Sequence, residues 1–143
     1  MPKLYPCAVT ITQGGQPLAG ASVTLHPADA ALVRWIPGGT TDQNGVCELR
    51  TLGRYSGAMA GSFKVTVDKL ESEKSSLPDV APPGMDPEEL ERQRDKEKLK
   101  SWRLVDKKYV SYKSTTLEIQ VSEGKNAETF DVGASVREEL PNN

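Results

Sequence analysis

Residues 62–68 read SFKVTVD, and this stretch decides the fold class. Every second residue is apolar, from Phe63 through Val67, and the residues between them are polar or charged. Because side chains along a strand point alternately to opposite faces, this alternation is typical of a strand with one buried face. The stretch therefore predicts a half-buried β-strand.

The same alternation recurs in two blocks, residues 6–68 and 114–133, and turn residues separate the individual strands. One such turn is Asp42-Gln43-Asn44-Gly45, whose Asn and Gly adopt left-handed backbone conformations at little cost. A short strand over 33–36 is expected to end at Pro37-Gly38-Gly39. Together the pattern predicts an all-β sandwich of about seven strands, in a single domain spanning 1–143.

An insertion over 69–113 interrupts the two blocks before the last two predicted strands. It begins with a proline-rich stretch and becomes densely charged. Asp86 is suited to cap a helix and Pro87 to occupy its first position, so the sequence predicts a helix over about 87–102. Because Leu99 and Trp102 lie three positions apart, we expect this end to hold the helix on the domain. Two roles stay open for this helix, a solvated spacer and a partner-binding surface.

Composition limits the classes of partner. The chain has 18 Lys and Arg against 20 Asp and Glu, a formal charge of -2, and this balance does not favour nucleic acid. No apolar run reaches the roughly 18 residues of a membrane helix, so no transmembrane segment is predicted. The first residues lack the apolar core of a secretory signal. An extracytoplasmic location, secreted or lipid-anchored, is expected if a removed signal preceded Met1, and a cytoplasmic location stays open.

The residue types that carry chemistry are scarce. One histidine and two cysteines cannot build the usual imidazole or thiolate metal cages, so neither a metal nor a cofactor is predicted. His26 is expected to point to solvent at the end of a strand, and no motif supplies it with a nucleophile or an orienting acid. The sequence therefore predicts no catalytic residue, and a hydrolase using His26 is the least favoured reading.

Cys7 and Cys47 both fall on inward-facing strand positions. A disulfide between them is one reading, and it would indicate an oxidising compartment. Two buried reduced thiols that act as small apolar groups are the alternative.

Trp35 and Tyr55 lie in loops of the first block and are the candidate ligand-binding residues. Trp102, Tyr109 and Tyr112, in and after the insertion, are further aromatic residues that could contribute to such a surface. Exposed aromatic rings stack on sugars or anchor protein partners. The competing interpretation is structural, because the chain has two Phe and needs other aromatic residues to cover the ends of its core.

Three stretches carry a resemblance to a known family. They are residues 15–23 (GQPLAGASV), 40–49 (TTDQNGVCEL) and 61–67 (GSFKVTV). Their turn glycines and buried alternation resemble carboxypeptidase regulatory-like domains, which are transthyretin-like (prealbumin-like), Ig-like β-sandwiches. The C-terminal part, with Lys108-Tyr109 and residues 114–117 and 121–126, is similar to uncharacterised bacterial surface proteins and lipoproteins. Cys47 departs from the pattern, since the family usually has an aromatic residue there.

The resemblance implies a seven-stranded β-sandwich with Greek-key connections and a non-catalytic role, but it transfers no chemical group. We therefore expect a structural or protein-interaction module outside the cytoplasm, whose partner is a protein or a carbohydrate at the cell surface. The alternative function is a carbohydrate-binding or substrate-handling domain that uses Trp35 and Tyr55.

Overall fold

A computed structural model describes residues 2–97 and 99–141 of the chain. The strands are, in chain order, β1 (Leu4–Tyr5), β2 (Cys7–Gln13), β3 (Gln16–Pro17), β4 (Ser22–Pro27), β5 (Pro37–Thr40), β6 (Val46–Glu48), β7 (Arg50–Thr51), β8 (Tyr55–Ser56), β9 (Ala58–Met59), β10 (Gly61–Asp68), β11 (Leu70–Ser72), β12 (Ser101–Arg103), β13 (Glu118–Val121), β14 (Asn126–Asp131) and β15 (Glu138–Glu139). One α-helix, α1 (Pro87–Lys96), and two 3₁₀ turns, Ala30–Leu32 and Lys107–Tyr109, complete these elements.

Two sheets form the body of the protein. The larger is antiparallel, with strand order β13-β10-β4-β5-β7-β8. In the other, β2 pairs with β14 in parallel and with β3 and β6 antiparallel. A small sheet, β11-β12-β15, joins the insertion to the C-terminal segment.

The core consists of the alternate apolar residues of these strands. Val9 and Ile11 of β2, Leu25 of β4, and Phe63 and Val65 of β10 are all fully buried or nearly so. Removing one such side chain from water stabilises the fold by about 1.5–3 kcal/mol. The predicted amphipathic strand at 62–68 is confirmed, and so is the mainly β character of the chain.

One side of the structure is closed by a chain segment that passes between the sheets. Residues 46–48 pair with β2, and residues 50–51 pair with β5 in the larger sheet. Between them Leu49 is 1% exposed, and its amide donates a hydrogen bond to the Cys7 carbonyl oxygen. At the opposite side, β13 and β14 end their sheets and follow one another through the turn at 122–125.

The predicted strand at 33–36 is wrong, and the glycines expected to break it form β5 instead. Asp29 caps the 3₁₀ turn before it, because its carboxylate accepts a hydrogen bond from the Ala31 amide. Gly39 lies on the inner face of β5, where an added Cβ would be 2.7 Å from Sγ of Cys47. Gly38 and Gly39 pair with β4, and Gly39 accommodates the Cys47 sulfur because it has no side chain.

The predicted helix start is confirmed, whereas its predicted end at 102 is wrong. Asp86 accepts a hydrogen bond from the Glu88 amide, and Pro87 opens α1. The helix ends at Lys96, because Glu97 is extended. Trp102 lies in β12, paired on both sides, and the buried residue of α1 is Leu90. Of the positions predicted to be helical, Lys98 lies outside the described residues.

Two further findings bear on the sequence predictions. The short strand β15 follows β14, so β13 and β14 are not the last strands of the chain. Within 2–97 and 99–141, no helix has the length and apolar character needed to cross a membrane.

Candidate functional site

His26 lies on the outer face of the larger sheet and is held by two contacts. Its Nε2 is 2.9 Å from the hydroxyl oxygen of Thr66 on the neighbouring strand. Its ring stacks on Tyr112, with the ring centroids 5.5 Å apart and the planes inclined by 29°. Partial burial lowers the pKa of His26, because burial disfavours the charged imidazolium. His26 faces outward with Ser22 and Thr24, as expected, but the stacked Tyr112 ring leaves its side chain half-buried rather than fully open to solvent.

The strand register extends this contact into a polar row. Lys64 of β10 lies opposite His26 on one side and opposite Glu118 of β13 on the other. In the adjacent row Ser62 faces Gln120, and the serine hydroxyl donates a hydrogen bond to the Gln120 side-chain carbonyl. The two rows place a cation, a carboxylate, an amide and a hydroxyl on fixed strand positions.

A shallow depression of about 340 Å³ lies beside these rows. Its lining consists of Ala28, Ser62, Phe63, Lys64, Glu118, Ile119 and Gln120. The depression thus combines the polar side chains of β10 and β13 with the backbone of the two strands. We call this surface, with His26 and Tyr112 next to it, the sheet-face site.

The structure separates the two predicted ligand-binding aromatics from this site. Trp35 is half-buried and packs against the core, with the Arg34 guanidinium 5.8 Å from its ring. Tyr55 is exposed on β8, at the far edge of the same sheet from β13, with Arg54 beside its ring. Neither residue lines the depression.

Cys7 and Cys47 are both buried and carry free thiols. Cys47 lies opposite Val9, so Cys7 is its diagonal neighbour across the β2–β6 pair. Burial raises the pKa of each thiol to about 11, since the thiolate would lose its hydration. As free thiols, the two groups are part of the packed core.

The outer edge of β14 is a second exposed feature. In a parallel pair, alternate residues direct both backbone groups to the same neighbour. The amides of Asn126 and Val132 donate to Pro6 and Thr12 on the β2 side. The backbone groups of Ala127, Thr129 and Asp131 therefore point away from β2, and no strand in the described parts of the chain pairs with that edge.

Asp131 fixes the end of this edge. Its carboxylate accepts hydrogen bonds from the Thr12 hydroxyl and from the amides of Gly15 and Gly133. These donors lower the pKa of Asp131 below its ordinary value, the Thr12 hydroxyl most of all. The β14 edge is thus anchored to the β2–β3 hairpin at its C-terminal end.

The described residues contain no group of three or more His, Cys, Asp or Glu arranged to hold a metal ion. No family model, curated protein or solved structure matches this chain. The resemblance to carboxypeptidase regulatory-like domains stays a prediction.

Sequence reasoning considered His26 only as a disfavoured catalytic group and Tyr112 only as one of several aromatic residues, and it did not place the two together. The alternation in β10 already placed Lys64 on the outer face, yet nothing in the sequence indicated that it faces Glu118. Tyr112 belongs to an irregular segment without periodicity, so its position over His26 had no sequence signal.

Proposed function

We propose that this chain is a non-catalytic, extracytoplasmic β-sandwich module that binds a protein partner. The resemblance to surface-protein modules supports the location and a seven-stranded Greek-key arrangement of the main strands. The unpaired outer edge of β14 supports the mode of binding. An extended segment of a partner pairs with this edge and becomes an additional strand.

The backbone supplies the affinity in this mode of binding. Ala127, Thr129 and Asp131 offer amide and carbonyl groups that an added strand can satisfy, and such strand addition is a recurrent mode of peptide recognition. Glu128 is exposed on the same strand, and its charge favours a partner segment that carries Lys or Arg. Proline is one residue that blocks strand addition at a free edge, and β14 contains none, so each of its outward amides can donate to an added strand.

The test compares two substitutions at one position. Thr129→Pro removes an outward N–H without touching the ladder to β2, because proline is tolerated on the open side of an edge strand. Thr129→Ala keeps that N–H and is the matched control. Each variant is used to capture proteins from a cell-envelope extract, and captured proteins are compared with those bound by the parent chain.

A partner retained by Thr129→Ala and lost with Thr129→Pro supports the proposal. Equal capture by both variants, or no specific capture by the parent chain, contradicts it. A second copy of this chain is also a protein partner, so sedimentation of the purified chain is measured in parallel. Self-association that Thr129→Pro abolishes would identify the partner as the chain itself.

A further inference from the structure

The outer face of the larger sheet carries two opposite charges that are not joined in an ion pair. Lys64 and Glu118 are opposite in the register and both are exposed. Even so, the ion pairs within 2–97 and 99–141 are Arg92 with Glu89 and Arg103 with Asp68. The ammonium and the carboxylate therefore stay available beside the depression to a ligand that can use both.

Next to these charges lies an aromatic surface. Tyr112 is 51% exposed although its ring is stacked on His26, so about half of the residue's surface is available for contact with a ligand. His26 in turn faces Lys64 across the strands, and Lys64 lines the depression. The hydrogen bond to Thr66 holds the histidine, and the histidine supports the tyrosine ring.

We propose that the sheet-face site binds a neutral hexose oligosaccharide. A sugar ring presents an apolar C–H face that stacks on Tyr112 and hydroxyl groups that pair with charged and amide side chains. The Ser62 hydroxyl fixes the Gln120 side chain, which leaves the amide N–H groups free to donate to the ligand. Lys64 donates and Glu118 accepts, and their charges cancel, so the site favours a ligand without net charge over an anion or a cation.

This site is independent of the β14 edge. The depression lies on the face of β10 and β13, whereas β14 belongs to the other sheet. Saccharide binding and protein binding can therefore be lost separately.

The experiment is an NMR titration of the ¹⁵N-labelled chain with cellotetraose and, separately, with maltotetraose. We expect saturable shifts for at least one of these sugars at the amides of Lys64, Glu118 and Gln120. If neither sugar changes the chemical shifts of these amides at concentrations up to millimolar, the proposal is wrong.

Substitutions then locate the binding surface. Tyr112→Ala is expected to weaken binding by about tenfold, through loss of the stacking surface. Gln120→Ala, at an exposed strand position, is expected to weaken it as well and provides a second readout if Tyr112→Ala does not fold. Tyr55→Ala is the matched control, because Tyr55 is a similarly exposed tyrosine, 41% against 51%, at the far edge of the sheet. Binding that depends on Tyr55 and is indifferent to Tyr112 and Gln120 refutes this site.

Discussion

Gly39 is the position where a single added methyl group tests the packing between the sheets. Its backbone lies outside the left-handed region, so alanine can adopt its conformation without strain. In an open strand position, a change from Gly to Ala would stabilise the protein by about 0.4–1 kcal/mol, because glycine loses more conformational entropy on folding. The sign of the effect of Gly39→Ala therefore depends on what the new methyl group meets.

The structure places two atoms in its way. The added Cβ would lie 2.7 Å from Sγ of Cys47 and 3.2 Å from the carbonyl oxygen of Glu48. Cys47 is fully buried, so its sulfur has little room to move. Overpacking of this kind costs about 1–3 kcal/mol, which outweighs the entropic gain. We expect a net loss of about 1–2 kcal/mol in the free energy of unfolding.

Urea unfolding measures this loss of stability and tests whether the Cys47 sulfur causes it. The parent chain is compared with Gly39→Ala, Cys47→Ala and the double variant, and linear extrapolation gives the free energy of unfolding of each protein. Because Cys47→Ala removes the clashing sulfur, we expect Gly39→Ala to cost about 1 kcal/mol less in that background. Thr40→Ala, at an exposed position of the same strand, is the control and should change stability by less than about 0.5 kcal/mol. If Gly39→Ala leaves the free energy of unfolding unchanged, or lowers it equally in both backgrounds, the Cys47 sulfur does not limit the packing at this position.

Three further predictions follow from buried and half-buried groups. With a thiol pKa of about 11, Cys7 and Cys47 are roughly one part in a thousand ionised at about pH 8. Iodoacetamide should therefore label them only when the chain unfolds. Labelling of the native chain at the rate of an exposed thiol would contradict this. Because the pKa of His26 is lowered in the folded protein, the unfolded chain binds this proton more tightly. Stability should therefore fall as the pH drops below the ordinary histidine pKa. A stability profile against pH that His26→Gln leaves unchanged would exclude this contribution. Trp102→Ala removes the cation–π contact with Arg137, whose guanidinium lies 4.2 Å from the ring centroid, and should weaken the pairing of β15 with β12. Unchanged hydrogen exchange of the β15 amides would show that this contact does not hold the strand.

The parts of the fold that could be predicted are those governed by local periodicity. Alternation from Phe63 to Val67 determines which face of β10 is buried, and Asp86 with Pro87 marks the helix start. Both signals involve residues within a few positions of one another. They are independent of how the rest of the chain is arranged, so the buried face of β10 and the start of α1 can be predicted from the sequence alone.

The predictions that failed depend on tertiary contacts. The glycines of β5 look like strand breakers in the sequence, but they pair with β4, and Gly39 leaves space for the sulfur of Cys47. Trp102 has helical spacing from Leu99, but pairing with β11 and β15 overrides that preference. The sheet-face site depends on register and on an irregular segment, so the sequence contained its residues without indicating that they meet.

If the outer edge of β14 is open in the free protein, hydrogen exchange of its individual amides, measured by NMR, will show it. We expect protection to alternate along the strand. The amide of Val132, which donates to Thr12, should be protected, whereas the amides of Ala127 and Thr129 should exchange rapidly. Protection of Ala127 and Thr129 equal to that of Val132 would mean that this edge is already covered. It would then not be open to an added strand from a partner.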